Sequence, residues 1–232
     1  MSQPFILEVQ DLKKDFFLYH LNKEIKGIDQ ISFQVKERDF LGIVGPSGSG
    51  KSTIIKCIYG AYKPTSGHIY YQSSDFGRVD LAQEDERLMM ALRRGEIGYV
   101  SQFLDIMPRV TSFDLVLHEL LNLGLDRQEA QDKAAESLKH FGIAEGLWYQ
   151  YPRTFSGGEK LRLNLARTLV KQPRLLLLDE PTASLDQASK EKVRESIIQL
   201  KVMGTTMIGI FHDLEFMEGL ITDCYHMRGK EE

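Results

Sequence analysis

Hydrophobic residues in this chain gather into short uninterrupted runs. Three of these runs are too short for ordinary helices and predict strands of a parallel sheet that is covered on both faces, at Phe40–Val44, Arg174–Leu178 and Thr205–Phe211. A fourth and shorter run lies at Ile97–Val100. Because helix-like segments separate the runs, the order predicts an α/β domain with a mainly parallel sheet.

Alternation of apolar and polar residues marks other segments and indicates strands with one face in water. It occurs at Phe5–Gln10 and Ile31–Val35, which we expect to be antiparallel strands. Two more strands are predicted at His68–Gln72 and Val79–Leu81. The charged stretch Asp11–Asp29 is interpreted as a connection.

Strand signals disappear in the third quarter of the chain, where helix signals dominate. Two segments with capping-box spacing open predicted helices there, at about Ser112–Asn122 and Arg127–Phe141. We therefore predict an α/β core with an antiparallel β subdomain over residues 1–103 and 172–232. A helical subdomain is predicted at 104–171. Helices are also expected at Ser52–Tyr59, Glu84–Arg94, Lys160–Lys171, Asp186–Met203 and Leu214–Leu220.

A glycine-rich loop follows the first buried run and fits the phosphate-binding pattern G-x-x-x-x-G-K-[ST]. Glycines let several backbone N–H groups face one anion, and a helix that starts there adds the positive end of its dipole. Lys51 would reach the β- and γ-phosphates, and the Ser52 hydroxyl would ligate Mg²⁺. The alternative is a Gly/Ser turn before an ordinary helix, which the strand–loop–helix order disfavours. The loop consists of Gly45, Pro46, Ser47, Gly48, Ser49, Gly50, Lys51, Ser52 and Thr53.

Polar residues follow the predicted parallel strands at their carboxyl ends, where open α/β sheets bind ligands. Asp179 would lie beside the loop's Mg²⁺, and Glu180 could orient or polarise a water. Two solvated acids are the alternative. Gln102 is a candidate Mg²⁺ or water contact or else a surface amide, and His212 is a candidate site residue or else structural.

A second glycine-rich helix start lies at Ser156-Gly157-Gly158-Glu159 and is a second potential phosphate site. Its alternative reading is a capped helix start, with Ser156 as N-cap and Glu159 completing a capping box. That reading leaves two consecutive glycines unexplained, since glycine lowers helix stability.

Six elements in this order resemble those of an ABC-type ATPase: Walker A, Q-loop, signature, Walker B, D-loop and H-loop. They are Gly45–Thr53, Gln102, Phe155–Glu159, Leu175–Glu180, Ser184–Asp186 and His212. The resemblance covers nearly the whole chain. It implies the ABC type of P-loop NTPase fold, ATP and Mg²⁺ as cofactors, and a head-to-tail homodimer or heterodimer with a related ABC ATPase. Two ATP molecules would lie at the dimer interface.

The resemblance also implies residue roles. The signature residues Ser156, Gly157 and Gly158 of one chain would contact the γ-phosphate that Lys51 binds in the other, and Glu159 and Asp186 would also belong to the nucleotide-binding residues. Glu180 would be the general base, and His212 would contact the γ-phosphate. The metal would be held by Ser52, Gln102 and Asp179. Adenine would stack on Phe16, with Phe17 and Tyr19 as alternatives.

Four segments narrow the resemblance to the PhnL-type ATPase of the bacterial carbon–phosphorus lyase system, which breaks down phosphonates. They are Cys57–Pro64, Tyr99–Leu104 with Pro108-Arg109, Thr154–Glu159 and Gly209–Asp213. That family is grouped with the ribose 1-methylphosphonate 5-triphosphate synthase step, in which methylphosphonate is coupled to a nucleoside triphosphate. The expected partners are then the carbon–phosphorus lyase core subunits, which dimer closure would remodel.

Two other functions remain open. The chain could be the ATPase subunit of a membrane transporter of the lipoprotein-release or macrolide-export type, with Phe103–His118 holding a membrane subunit's coupling helix. It could also be a P-loop kinase for a small molecule, which would leave Ser156–Glu159 without a role.

Composition restricts the functional classes further. The chain has 232 residues, of which 42% are hydrophobic, enough for one large domain. Its net charge of −4 argues against non-specific nucleic-acid binding. Two cysteines form no disulfide framework, and neither a signal peptide nor a long apolar run is evident, so we expect a cytoplasmic protein without direct membrane insertion.

Overall fold

The computed structural model describes residues 4–18, 22–101, 109–182, 185–211, 216 and 218–227. It contains a parallel sheet, an antiparallel sheet and flanking helices, which confirms the predicted α/β class. In chain order the elements are β1 (Phe5–Leu18), β2 (Lys23–Lys36), β3 (Phe40–Val44), α1 (Lys51–Ile58), β4 (Ser66–Ser73), β5 (Gly77–Asp80), α2 (Glu86–Gly95), β6 (Ile97–Ser101), α3 (Ser112–Asn122), α4 (Arg127–His140), α5 (Gly157–Leu169), β7 (Leu175–Asp179), α6 (Gln187–Val202), β8 (Thr206–Ile210) and β9 (Asp223–His226).

The parallel sheet has the strand order β6-β7-β8-β3-β9. Its three central strands begin and end within one residue of the predicted bounds, because burial on both faces leaves continuous apolar runs. Strand β9 was not predicted. Its sequence, Asp-Cys-Tyr-His, is partly exposed at the sheet edge and carries no apolar run.

The antiparallel sheet has the order β2-β1-β4-β5. The prediction of a connection at Asp11–Asp29 is wrong over most of its length. The strands β1 and β2 each have 14 residues, occupy most of this segment and pair with each other. Repeated register shifts interrupt the pairing, and Asp11 and Gln30 adopt positive φ of 47° and 49°. Such bulges break the period-2 pattern by which sequence indicates a strand.

Two hydrophobic clusters cover the two faces of the parallel sheet. Alternate residues of β7 serve different clusters: Leu175 and Leu177 face the cluster of α1 and the antiparallel sheet, whereas Leu176 and Leu178 face that of α3 to α6. All four leucines are fully buried. The helices α3, α4 and α5 follow one another without an intervening strand, and the subdomain bounds given above stay a prediction.

Glu96 is a buried carboxylate between the two sheets and gives a prediction about acid stability. It accepts hydrogen bonds from Ser73 Oγ (2.6 Å), Tyr71 Oη (3.0 Å) and the Ser74 N–H (3.1 Å). Burial by itself raises the pKa of Glu96, but these hydrogen bonds outweigh it and lower the pKa. The stabilisation is therefore present above the unfolded pKa of about 4.3 and is lost as pH falls through the lowered folded value.

We expect Glu96→Gln to lower the free energy of unfolding at pH 7 and to flatten its decline between pH 5 and pH 3. Urea unfolding across this range measures both effects. Glu136→Gln, an exposed position on α4, is the matched control. Parallel pH curves for Glu96→Gln and the wild type would contradict the prediction.

Candidate functional site

The glycine-rich loop lies between the end of β3 and the start of α1. Gly48 and Gly50 have φ of 75° and 100°, in the left-handed region that favours glycine. A Cβ on Gly50 would come within 2.4 Å of Ile28 Cγ2. The helix α1 begins directly after Gly50 without a side-chain cap, so its N-terminal amides face the loop. Local backbone geometry and close packing thus both require glycine here.

Lys51 is 5% exposed, and its Nζ donates to the carbonyl oxygens of Gly45 and Pro46, 2.9 Å from each. Its charge is therefore held within the loop itself. The next residue, Ser52, donates its Oγ proton to Asp179 Oδ1 at 2.7 Å. The structure thus brings together the two sequence-predicted metal ligands that it describes, although 127 positions separate them.

Asp179 and Glu180 lie at the carboxyl end of β7, beside the loop. Asp179 is 7% exposed, and its Oδ2 accepts a hydrogen bond from Tyr99 Oη at 3.0 Å. Glu180 has φ of 52°, which is uncommon for a residue other than glycine, and its N–H donates to the Ile210 carbonyl. Strained backbone of this kind clusters at functional sites, and Glu180 lines the cavity at the loop.

That cavity has a volume of about 280 Å³ and is open to solvent on one side. Phe16, the predicted adenine contact, lies in its wall, whereas the exposed Phe17 does not line it. Sequence reasoning missed three further wall residues, Ile25, Lys26 and Gly27 of β2. The β1–β2 pairing brings them there, with Phe16 opposite Ile25. Correct assignment of the long β2 strand could have found them.

The second glycine-rich segment starts α5 and forms a complete capping box. Ser156 Oγ accepts from the Glu159 N–H at 3.3 Å, and Glu159 Oε2 accepts from the Ser156 N–H at 2.8 Å. Hydrogen bonds from the Ser156 hydroxyl and N–H lower the pKa of Glu159. Ser156 and Gly157 are exposed, and the described residues that line the loop cavity include none from 156–159. The capping reading is thus correct locally. Gly158 is buried, and a Cβ there would come within 2.6 Å of Ser189 Oγ, so packing inside the chain accounts for it and only the exposed Gly157 is left unexplained.

Asp186 begins α6 and is exposed. Its carboxylate accepts from the Ser189 N–H (2.9 Å) and Oγ (3.0 Å), and these hydrogen bonds lower the pKa of Asp186. Three other predicted residues, Gln102, Ser184 and His212, lie outside the described residues, as do Tyr19 and three of the seven residues of the predicted helix Leu214–Leu220. That helix prediction is wrong over 218–220, which form a turn.

Comparison with known proteins decides the family. The family model described as "ABC transporter" matches residues 28–183, about two thirds of the chain. The chain belongs to the ABC transporter family. It is an ABC ATPase domain, which binds ATP and Mg²⁺ as the sequence resemblance implies. Membership disfavours the kinase alternative.

Relatives of this ABC ATPase are named as ATP-binding proteins of lipoprotein release and of methionine import. The lipoprotein-releasing system ATP-binding protein LolD of Legionella pneumophila (strain Paris) is 37% identical over 195 residues, which are 84% of this chain and 82% of that protein. The methionine import ATP-binding protein MetN of Vibrio vulnificus (strain YJ016) is 31% identical over 227 residues, 97% of this chain and 63% of that protein. Neither name mentions a carbon–phosphorus lyase. These relatives therefore support the assignment to the ABC family but not the narrower resemblance to the ATPase of the carbon–phosphorus lyase system.

A solved structure shows the same fold. The ATP-binding cassette MJ0796, described as a dimer in a post-hydrolysis state bound to ADP and Pi, aligns with a TM-score of 0.86 at 26% identity. The alignment covers 96% of this ABC ATPase and 94% of that chain.

The residues of this ABC ATPase fit ATP and Mg²⁺. The loop has the curvature for phosphate, and its buried lysine can move from loop carbonyls to phosphate oxygens. Mg²⁺ is usually held by one or two carboxylates together with substrate phosphates. The hydroxyl–carboxylate pair Ser52–Asp179 suits that arrangement, and among the residues described there is no cluster of three or more His, Cys, Asp or Glu that would cage a metal alone.

We expect Lys51→Ala to weaken ATP binding at least about tenfold, because the loop loses a buried, charge-assisted phosphate contact. Isothermal titration calorimetry with ATP measures the loss, and circular dichroism checks the fold. Lys133→Ala, on the exposed face of α4, is the matched control and should bind as the wild type. An unchanged affinity for Lys51→Ala would contradict the assignment.

Proposed function

We propose that this chain hydrolyses ATP within a head-to-tail dimer, in which each nucleotide contacts the loop of one subunit and the signature of the other. The observation that carries the proposal is the exposed start of α5. The exposed Gly157 lies at this helix N-terminus although glycine lowers helix stability, and it does not line the loop cavity of its own chain. A γ-phosphate carried on a second subunit would explain Gly157, since only glycine allows so close an approach.

The hydrolytic step follows from the residues at the cavity. Glu180 accepts the proton of a water whose oxygen attacks the γ-phosphorus while the bond from that phosphorus to the β–γ bridging oxygen breaks. Lys51 moves from the loop carbonyls to the phosphates and stabilises the charge on their oxygens. Mg²⁺, when bound, neutralises charge that develops on the β- and γ-phosphates. Gln102 and His212 are proposed as contacts to the metal and the γ-phosphate.

The ATP cycle would act on a partner through a cleft that is lined by the end of α1, by β6 and by the helices α3 and α5. The cleft has a volume of about 260 Å³, and its charged lining residues are Lys56, Glu119, Arg167 and Lys171. Arg167 Nε is 2.7 Å from Glu119 Oε1 and Lys171 Nζ is 3.5 Å from Oε2, so this carboxylate pairs with two cations, and the lining has three cationic side chains and one carboxylate. Burial lowers the pKa of Lys171. A partner segment with an acidic side chain would suit this cleft.

Our first candidate for that partner is the membrane subunit of a transporter of the lipoprotein-release or macrolide-export type. The support is the identity to LolD over most of both chains. The segment Phe103–His118, proposed to hold a coupling helix, begins two residues after the cleft residue Ser101. Among the described residues, no helix is long and apolar enough to cross a membrane.

The second candidate is the carbon–phosphorus lyase complex, with closure of the ATPase dimer remodelling the lyase in the ribose 1-methylphosphonate 5-triphosphate synthase step. The specific support is the sequence of four segments: Cys57–Pro64, Tyr99–Leu104 with Pro108-Arg109, Thr154–Glu159 and Gly209–Asp213. Two of them flank the cleft, through Tyr59, Ala61 and Tyr99.

Purification of the tagged chain from phosphate-starved cells, with and without detergent, separates the candidates. A membrane subunit that is recovered only with detergent supports the transporter, and soluble carbon–phosphorus lyase subunits support the lyase. Growth on methylphosphonate is the matching functional test. Normal growth with Glu180→Gln in place of the wild type would contradict the lyase role, and lost growth with Glu191→Gln, on the exposed face of α6, would show a nonspecific defect.

A further inference from the structure

We propose that Tyr99 is a positioning residue for the metal site: its hydroxyl fixes the Asp179 carboxylate in the orientation in which Asp179 and Ser52 hold the nucleotide's divalent cation. The proposal rests on the family's use of Mg²⁺ with ATP, but it requires neither the dimer nor hydrolysis. Tyr99 belongs to none of the six ATPase elements, and no role at the metal has been given to it above.

The first step is the geometry of the carboxylate. Asp179 Oδ1 accepts from Ser52 Oγ at 2.7 Å, and Oδ2 accepts from Tyr99 Oη at 3.0 Å. The carboxylate is buried, so each lost hydrogen bond is not simply replaced by solvent. With both oxygens held, rotation about its Cβ–Cγ bond breaks at least one hydrogen bond. Partners that orient a metal's carboxylate typically affect metal affinity about 10- to 100-fold.

The second step is the rigidity of the tyrosine. The Tyr99 ring stacks on the Tyr59 ring, with centroids 4.9 Å apart and an angle of 27° between the planes. Tyr59 directly follows α1, and the Arg93 guanidinium lies 5.0 Å from its ring centroid. Arg93 also donates to the Tyr59 carbonyl at 2.8 Å and to the Gly60 carbonyl at 2.9 Å. The hydroxyl therefore belongs to an anchored ring.

These contacts connect both ends of α1 to one carboxylate. Ser52, in the first turn of α1, donates to Asp179 directly. Tyr59, at the end of α1, supports the ring of Tyr99, which donates to the other oxygen. The phosphate-binding helix and the acid of β7 are thereby held in register, as a shared metal ligand set requires.

The test is divalent-metal affinity in the presence of ADP, with Mn²⁺ as the probe and electron paramagnetic resonance as the readout of free Mn²⁺. We expect Tyr99→Phe to weaken Mn²⁺ binding about tenfold, because the stack stays and only the hydroxyl is lost. ADP affinity in EDTA should remain that of the wild type. Tyr71→Phe is the matched control, since it also removes a 3.0 Å hydrogen bond from a tyrosine to a buried carboxylate, Glu96, and should leave Mn²⁺ affinity unchanged.

A second measurement separates positioning from a general loosening of the fold. In an Asp179→Asn background, Tyr99→Phe should have no further effect on Mn²⁺ affinity, because the carboxylate it orients is gone. Equal Mn²⁺ affinity in Tyr99→Phe and the wild type would overturn the proposal. It would also be overturned if Tyr99→Phe lowered Mn²⁺ affinity by the same factor in the wild-type and the Asp179→Asn backgrounds. Because ADP is used, neither result depends on dimer formation or on the role of Glu180.

Discussion

Glu180→Gln should reduce the ATPase rate at least about 100-fold, which is the low end of what a general base contributes. Glutamine has nearly the same shape and keeps its hydrogen-bonding oxygen, but it cannot take the proton of the attacking water. The backbone of Glu180 lies in the left-handed region at φ of 52°, a conformation that glutamine adopts at a similar cost. ATP affinity should therefore remain, and the closed dimer should accumulate when ATP is added.

Steady-state phosphate release and size-exclusion chromatography with ATP measure these two effects. Glu191→Gln, on the exposed face of α6, is the matched control and should hydrolyse ATP at the wild-type rate. Lys51→Ala provides a contrast, since that variant should bind ATP more weakly whereas Glu180→Gln should keep its ATP affinity. A Glu180→Gln protein that releases phosphate at the wild-type rate would require another base.

The parallel core could be predicted from sequence because burial on both faces leaves an unambiguous pattern. The runs at β3, β7 and β8 are mostly apolar, and their predicted bounds match the structure within one residue. The antiparallel strands were predicted too short for a physical reason as well. Their bulges shift the alternation of side chains, and the extension of β1 includes Lys13, Lys14 and Asp15, which resemble a loop in composition.

The candidate site likewise contains residues that the sequence reveals and residues that it does not. Its phosphate loop and the adjacent acids follow from local spacing, because consecutive glycine, lysine and hydroxyl residues build one loop and one helix start. Local spacing does not reveal the places of Lys26 and Tyr99 in the site. Lys26 reaches the cavity through strand pairing within β1–β2, and Tyr99 reaches Asp179 across two neighbouring strands, so both depend on tertiary register.

Gly157→Asp should abolish ATP-dependent dimerisation while leaving ATP binding to the single chain intact. The exposed Gly157 is the first residue of α5, and in the proposed dimer it faces the γ-phosphate on the partner subunit. An aspartate there places a carboxylate against that phosphate and adds a side chain where the approach is close, so like-charge repulsion and steric contact both oppose closure. In a Glu180→Gln background, where closure should otherwise persist, we expect at least a 100-fold loss in dimer affinity.

Gly146→Asp is the control for the substitution itself. Gly146 is also exposed, and a Cβ there would meet no atom within 4 Å, so the same charge is added without a proposed phosphate nearby. Analytical ultracentrifugation with ATP compares the two variants, and calorimetry with ATP confirms that each still binds nucleotide. Dimerisation that survives Gly157→Asp but fails with Gly146→Asp would move the interface away from α5. Turnover that survives Gly157→Asp in an otherwise wild-type chain would mean that the phosphate loop of one subunit is enough for hydrolysis, and Gly157 would again lack a function.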